Sequence, residues 1–315
     1  MKIFIQIASY RDPDLKNTID DLITNAKYKS SLNFSICWQH SLDDSWDNIK
    51  HYAEYDYIHV IDVPHAQSKG ACWARSLTQS LYNGEDFTLQ IDSHTRSEPE
   101  WDVKLLDLYN SIGKDNTILS AYPSMFVPGE SYEQYDKRIF SCHVYNMKNS
   151  FISARPKTLE DKSRPRRAST IAAGFIFGPG KLIQDVPYDP GFYFTGEEAA
   201  LALRLFTCGY DLYHPNINLF YHYYTRKEQK KHWSDHKDWA NYSNRAKQRL
   251  SCLLGKNNFF NMDKYGLGNI RTIEDWKQYS GIDYVKSRLH THLIENKEPP
   301  YQDIPNLWIS QKDLK

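Results

Sequence analysis

Phe87-Thr88-Leu89-Gln90-Ile91-Asp92-Ser93-His94 is an apolar run that ends in a carboxylate, a hydroxyl and an imidazole. Side chains alternate faces along an extended backbone, so Asp92 and His94 project to one side and Ser93 to the other. One divalent cation can then bind both. A carboxylate and an imidazole at the carboxyl end of a buried strand suit a borderline cation such as Mn²⁺, which takes oxygen and nitrogen ligands and keeps positions open for phosphate oxygens. On that reading the site holds a nucleotide diphosphate. The plainer reading makes Asp92 a turn cap and His94 a polar loop residue, and Asp-x-His alone does not decide between them.

The flanking segments add weight to the first reading. Downstream, Ser97-Glu98-Pro99-Glu100-Trp101-Asp102 has the acids and the proline that favour a helix start, which places the motif at a strand-loop-helix junction. Ligands of open α/β sheets collect at the carboxyl ends of strands. Much later, Phe194-Thr195-Gly196-Glu197-Glu198 leads into an apolar helical run that Gly209 stops. Helix capping accounts for one acid at such a start better than for two.

Outward from the motif, strands and helices alternate. Residues 2–8 read as a first strand, followed by a helix from Asp12-Pro13 to about Lys27. Residues 34–38 and 57–63 read as further strands, and Ser68-Lys69-Gly70 starts a helix to about Leu81. This βαβα succession predicts an α/β fold with a mostly parallel central sheet flanked by helices. Residues 117–122 and 171–177 supply two more strands. Between them, 123–169 lacks sustained periodicity and reads as an irregular segment of the kind that forms lids or substrate-binding loops. Its basic cluster of Lys162, Arg164, Arg166 and Arg167 reads as a solvated face.

Several of these motifs, in this order, resemble glycosyltransferase family 60, which contains the cytoplasmic N-acetylglucosaminyltransferases that modify hydroxyproline. The resemblance rests on Gln90-Ile91-Asp92-Ser93-His94 with Trp101-Asp102, on Phe194-Thr195-Gly196-Glu197-Glu198 with Arg204, on Gly209-Tyr210-Asp211, and on His222 before Arg226. The opening Ile7-Ala8-Ser9-Tyr10-Arg11-Asp12-Pro13 and the closing Tyr265-Gly266-Leu267-Gly268 with Arg271-Thr272 extend it over most of the chain. A more distant similarity runs to the polypeptide N-acetylgalactosaminyltransferases. The resemblance implies a GT-A type nucleotide-diphospho-sugar transferase fold, with a catalytic domain over 1–226 and a helical C-terminal extension over 227–315. It also implies transfer of N-acetylglucosamine from UDP-GlcNAc to a hydroxyl of a protein or glycan acceptor, with retention of configuration.

Residue by residue, the resemblance makes His222 the third metal ligand beside Asp92 and His94, with Mn²⁺ or another divalent cation as cofactor. His222 lies in the aromatic run Phe220-Tyr221-His222-Tyr223-Tyr224, where a packed histidine is also routine. Arg11 and Asp12 fall at the nucleotide position, although Asp12 as a helix cap and Arg11 as a surface charge are equally physical. Arg75 can approach the diphosphate from the opposite wall, and Gln90 and Asp92 join this donor-binding group. Glu197 and Glu198 are the candidate catalytic carboxylates. Glu197 is favoured for sugar contact, although neighbours on a helix diverge by about 100° and spacing alone does not choose between them.

Composition sets the bounds. The chain has 315 residues, enough for a sizeable core, and 39 basic against 39 acidic residues give it a formal net charge of +0. No global field therefore recruits nucleic acid or an anionic membrane. Five scattered cysteines without Cys-x-x-Cys spacing argue against a disulfide framework and a zinc site, and fit a reducing, cytoplasmic setting. Residues 3–8 fit a strand and not a signal peptide, and no apolar run is long enough to span a bilayer. Two other classes compete with the transferase. A metal-dependent hydrolase would use Asp92, His94 and further ligands such as the His232 and His236 pair. A carbohydrate-binding module would use the 23 tyrosines and 8 tryptophans but needs no metal-diphosphate constellation.

Overall fold

The computed structural model describes residues 1–226, 229–301 and 304–310. Its first half alternates strand and helix: β1 (Ile3–Tyr10), α1 (Leu15–Asn25), β2 (Leu32–His40), β3 (Ile58–Pro64), α2 (Ala71–Gln79) and β4 (Phe87–Asp92). Then come β5 (Thr95–Ser97), α3 (Trp101–Ile112), β6 (Thr117–Ser120), β7 (Ser124–Met125), β8 (Phe140–Lys148), β9 (Phe151–Thr158), β10 (Arg166–Arg167) and β11 (Phe175–Pro179). The chain continues through α4 (Leu182–Asp185), α5 (Glu197–Thr207), β12 (Asp211–His214) and β13 (Phe220–His222). It closes with α6 (His232–Asp235), α7 (Trp239–Leu253), α8 (Ile273–Ser280), β14 (Ile282–Asp283), β15 (Arg288–His290), α9 (Thr291–Ile294) and β16 (Trp308–Ser310).

Eight strands form the central sheet in the order β10-β12-β6-β11-β4-β1-β2-β3. β3, β2, β1 and β4 run parallel, as do β6 and β12, while β11 is antiparallel to both its neighbours. The parallel block explains where the site sits. The carboxyl ends of β1, β2 and β4 share one edge, so Tyr10, Gln39 and Asp92 arrive together. α1 and α3 bury Leu15, Ile19, Leu22, Trp101 and Leu105 against β1, β2 and β4 in one apolar cluster. α5 is apolar on nearly every face and lies deep in a second cluster, as a helix without a polar side must. Trp276, Ile282, Leu289 and Tyr301 belong to that same cluster, so the C-terminal residues pack on the helix that carries Glu197 and Glu198.

Two parts differ from the sequence reading. The 123–169 segment, read as irregular, contains the antiparallel hairpin β8-β9, with a two-residue turn at Asn149 and Ser150, both at positive φ. The C-terminal part contains a three-stranded sheet, β14-β15-β16, besides its helices. β8 and β9 mix polar and apolar residues without a sustained alternation, and β14, β15 and β16 are only two or three residues long, so in both parts the partners supply the burial that the local sequence does not announce. No helix of the described residues is long and apolar enough to cross a membrane.

Candidate active site

The cavity at the carboxyl edge of the parallel strands has a volume of about 460 Å³ and is lined by residues from β1, β4, β9, α5, β13 and the segment after it. Asp92 closes β4, and His94 follows two residues on. His222 ends β13, which pairs antiparallel with β5 so that His222 stands opposite Thr95. That pairing brings together residues 128 apart: His94 Nε2 and His222 Nε2 are 2.9 Å from one another, and Asp92 Oδ2 is 3.1 Å from His222 Nε2 and 3.9 Å from His94 Nε2. Ligand atoms of all three lie within 4.8 Å, and no other such group of three occurs among the described residues.

The donor set fits a divalent cation. Two imidazole nitrogens bound to one ion at right angles, each about 2.1 Å away, stand about 3 Å apart, which is the separation present here. The wall beside this cluster has no side chain at Gly174, where a Cβ would lie 3.0 Å from Asp92 Oδ2 and 3.9 Å from His222 Cδ2.

Charges around the cluster are arranged in two layers. Asp12 is buried and its Oδ2 accepts from His94 Nδ1 at 2.7 Å and from the Ser93 hydroxyl at 2.7 Å. Its Oδ1 accepts from the Asp14 N–H and from Gln229. Burial pushes the Asp12 carboxyl up, but His94 and Ser93 outweigh it and hold the group below the usual carboxylate range. Asp12 thus orients a histidine. Arg226 Nη1 is 3.1 Å from His94 Nδ1 and 3.7 Å from Asp12 Oδ2, and with Nδ1 donating to Asp12 the attraction of the guanidinium is to the carboxylate.

Arg75 lies on α2 behind Asp92. Its Nη2 donates to Asp92 Oδ1 at 3.1 Å, and its Nη1 donates to Glu197 Oε1, which also accepts from the Tyr188 hydroxyl at 2.7 Å. Burial opposes the Arg75 charge, but Glu197, Tyr188 and Asp92 overcome it and hold the guanidinium firmly protonated. Burial also raises the Asp92 carboxyl, and the His222 hydrogen bond with the Arg75 charge reverses this and holds it far below the usual range. Burial lowers the His222 imidazole, keeping it neutral as a metal ligand must be.

The two acids at the start of α5 therefore differ. Glu197 Oε1 is spent on Arg75 and Tyr188, whereas Glu198, among the described residues, accepts only from the Ala173 N–H at 2.8 Å, and burial pushes its carboxyl up to about 7. Both line the cavity. Gln90 and Arg11 lie outside the lining. Gln90 sits beneath the floor, donating to the Ala173 carbonyl at 2.7 Å and to the Tyr188 hydroxyl at 3.0 Å. Arg11 turns away to a two-point pair with Asp44 and a bond to Asp235 at 3.0 Å, which accounts for its charge. The His232 and His236 rings stack at 3.9 Å, but they bond to Tyr193 and to the His65 carbonyl and form no ligand cluster.

Tyr188, Gly174 and Gln229 escaped the sequence reading. No spacing rule links them to the motif. Gly70 opens α2 at φ +103°, and a Cβ there would strike Tyr193 at 2.4 Å, so a Gly before a helix beside an aromatic wall was the one available sign.

A family model described as Glycosyltransferase (GlcNAc) matches residues 2–56 and 48–286. Among solved structures, GalNAc-T7 with UDP, GalNAc and Mn²⁺ superposes with a TM-score of 0.56 at 14% identity, covering 88% of this chain and 54% of that one. The chain thus spans about half the length of that protein. TarS 1-349 of S. aureus in complex with UDP-GlcNAc gives 0.51 at 14% identity, covering 84% of this chain and 69% of that one. Curated sequences yield no match. At such low identity the superpositions speak to the fold, which is the GT-A fold, while the family model covers most of the chain. This protein belongs to the Glycosyltransferase (GlcNAc) family.

Proposed function

We propose that the protein transfers N-acetylglucosamine from UDP-GlcNAc to a hydroxyl acceptor, with Mn²⁺ or a similar cation held by Asp92, His94 and His222. The observation that carries the reading is the convergence of these three ligands, from β4 and β13, on one point of the cavity. Superposition on one protein solved with UDP, GalNAc and Mn²⁺ and on another solved with UDP-GlcNAc supports the choice of donor and metal. A bound cation would offset the charge of the departing diphosphate.

The chain's own residues supply orientation. Asp12 holds the His94 tautomer, Arg75 holds the Asp92 carboxylate, and Glu198 is the carboxyl left free to meet a sugar or acceptor hydroxyl. This reverses the preference for Glu197, whose Oε1 is taken up by Arg75 and Tyr188. We assign Asp12 and Gln90 supporting roles, and propose kinship with the hydroxyproline-modifying N-acetylglucosaminyltransferases of family 60. A catalytic domain over 1–226 with an extension over 227–315, retention of configuration and a cytoplasmic setting complete the reading; the five free thiols favour the last.

Incubation with Mn²⁺ and a panel of UDP sugars, with UDP release measured and Asp92→Ala as control, tests it. Selective turnover of UDP-GlcNAc that the variant abolishes is expected. Turnover of none of the sugars, with no metal-dependent UDP binding by calorimetry, would overturn it.

A further inference from the structure

The hairpin β8-β9 turns one edge toward the cavity. β8 is largely buried, whereas β9 is half-buried at 151–154 and exposed at 155–157. Its register fixes which backbone groups face outward. The Leu159 N–H bonds to the Ile139 carbonyl, and the Cys142 N–H leaves the hairpin for His214 Nε2. Since Cys142 pairs with Pro156 and Val144 with Ala154, both of these pairs are of the kind that exchanges no ladder bonds. The extra residue Tyr145, between Val144 and Asn146, resets the alternation, so Ile152 opposite Met147 also turns its N–H and C=O away from β8. Among the described residues, neither Ile152 nor Ala154 has a hydrogen-bond partner for these groups.

The position of this edge matters. Ile152 and Ala154 line the same cavity as Asp92 and Glu198, and the ring of Phe151 lies against the start of α5, 3.2 Å from where a Cβ of Gly196 would be. Pro156, two residues further along the outward-facing series, has no N–H and ends any pairing there. What remains is a two-residue docking edge beside the catalytic carboxyl. Free strand edges take up extended polypeptide by strand addition. A glycan has no alternating N–H and C=O to offer.

We propose that the acceptor is an extended polypeptide segment that pairs with the Ile152 and Ala154 backbone as an added strand, presenting its hydroxyl to Glu198. This rests on the transferase reading above and chooses between its two acceptor classes. Arg155 and Lys157, exposed on the same strand, favour acidic residues on that segment.

The test uses the full chain with Mn²⁺ and labelled UDP-GlcNAc. One set of acceptors is a library of eleven-residue peptides with a central serine, threonine or 4-hydroxyproline and randomised flanks; the other is a panel of β-linked disaccharides. Transfer to peptides at least tenfold above the disaccharides is expected. With the best peptide, N-methylation at successive positions should raise KM about tenfold at two positions separated by one residue and little elsewhere. Ala154→Pro, checked for an unchanged thermal transition, should erase the preference for peptides. Preference for disaccharides, or an N-methyl scan without that pair of positions, would overturn the docking edge while leaving the transferase intact. Absence of any UDP-GlcNAc turnover would instead overturn the transferase reading and this assignment with it.

Discussion

Asp12 Oδ2 and His94 Nδ1 stand 2.7 Å apart although 82 residues separate them in sequence. A carboxylate acceptor requires Nδ1 to donate, which leaves the lone pair on Nε2, directed at Asp92 and His222. Asp12→Asn removes the charge and keeps the shape. Mn²⁺ affinity, followed by the loss of the free-ion electron paramagnetic resonance signal, is expected to fall about 10- to 100-fold. Unchanged affinity would deny Asp12 its orienting role.

Arg75, on α2, joins two acids, Asp92 at the end of β4 and Glu197 at the start of α5. Arg75→Met leaves both uncompensated and is expected to cost about 3–5 kcal/mol in urea unfolding. Adding Glu197→Gln should restore a large part of that loss. Strictly additive single changes would show that the pair is not coupled.

Glu198 links stability to pH. Its carboxyl is raised from 4.5 to about 7 in the folded protein, so the folded state holds the proton more tightly than the unfolded one. The associated stability is fully present below about pH 4.5 and is lost as pH rises through about 7, a change on the order of 3 kcal/mol. Buried neutral His222 acts in the opposite direction, losing stability as pH falls below its unfolded value of 6.5. Unfolding free energies from pH 4.5 to 8 for the wild type and Glu198→Gln separate the two: the difference curve should slope downward with pH, and a flat curve would refute the shift.

Gly174→Ala places a methyl group 3.0 Å from Asp92 Oδ2. The Asp92 carboxylate must give by a few tenths of an ångström, and turnover is expected to drop about tenfold or more while the melting temperature changes little. Wild-type turnover in this variant would mean that the Asp92 carboxylate is free to move.

The parallel half of the fold was legible because βαβ units carry local signs: apolar runs, helix starts and their order. The Asp92 and His94 pair was legible from spacing along one strand, and His222 from its order in the resemblance. The sequence reading takes Arg75 and Asp12 as donor-binding candidates and not as partners of Asp92, Glu197 and His94, since those contacts depend on tertiary placement. The hairpin was missed for a different reason. Phe-Ile-Ser-Ala-Arg-Pro-Lys-Thr is an edge strand whose proline and charges suit its position but disguise its conformation. Asn149-Ser150 was the overlooked turn, with asparagine tolerant of the positive φ it adopts.

Arg11 and Tyr10 both bond to Asp235, more than 220 residues further along the chain. With His222 and Gln229 also arriving from beyond residue 220, the first-made strands wait for the last part of the site. At about 5–20 residues per second, a ribosome spends about ten seconds or more between Asp12 and the residues that close over it. A chain interrupted before that point carries Asp92 and His94 without His222, so a nascent or truncated product lacks the complete three-residue cluster proposed to hold the cation, and on that proposal synthesis itself withholds the activity until the closing segment has emerged.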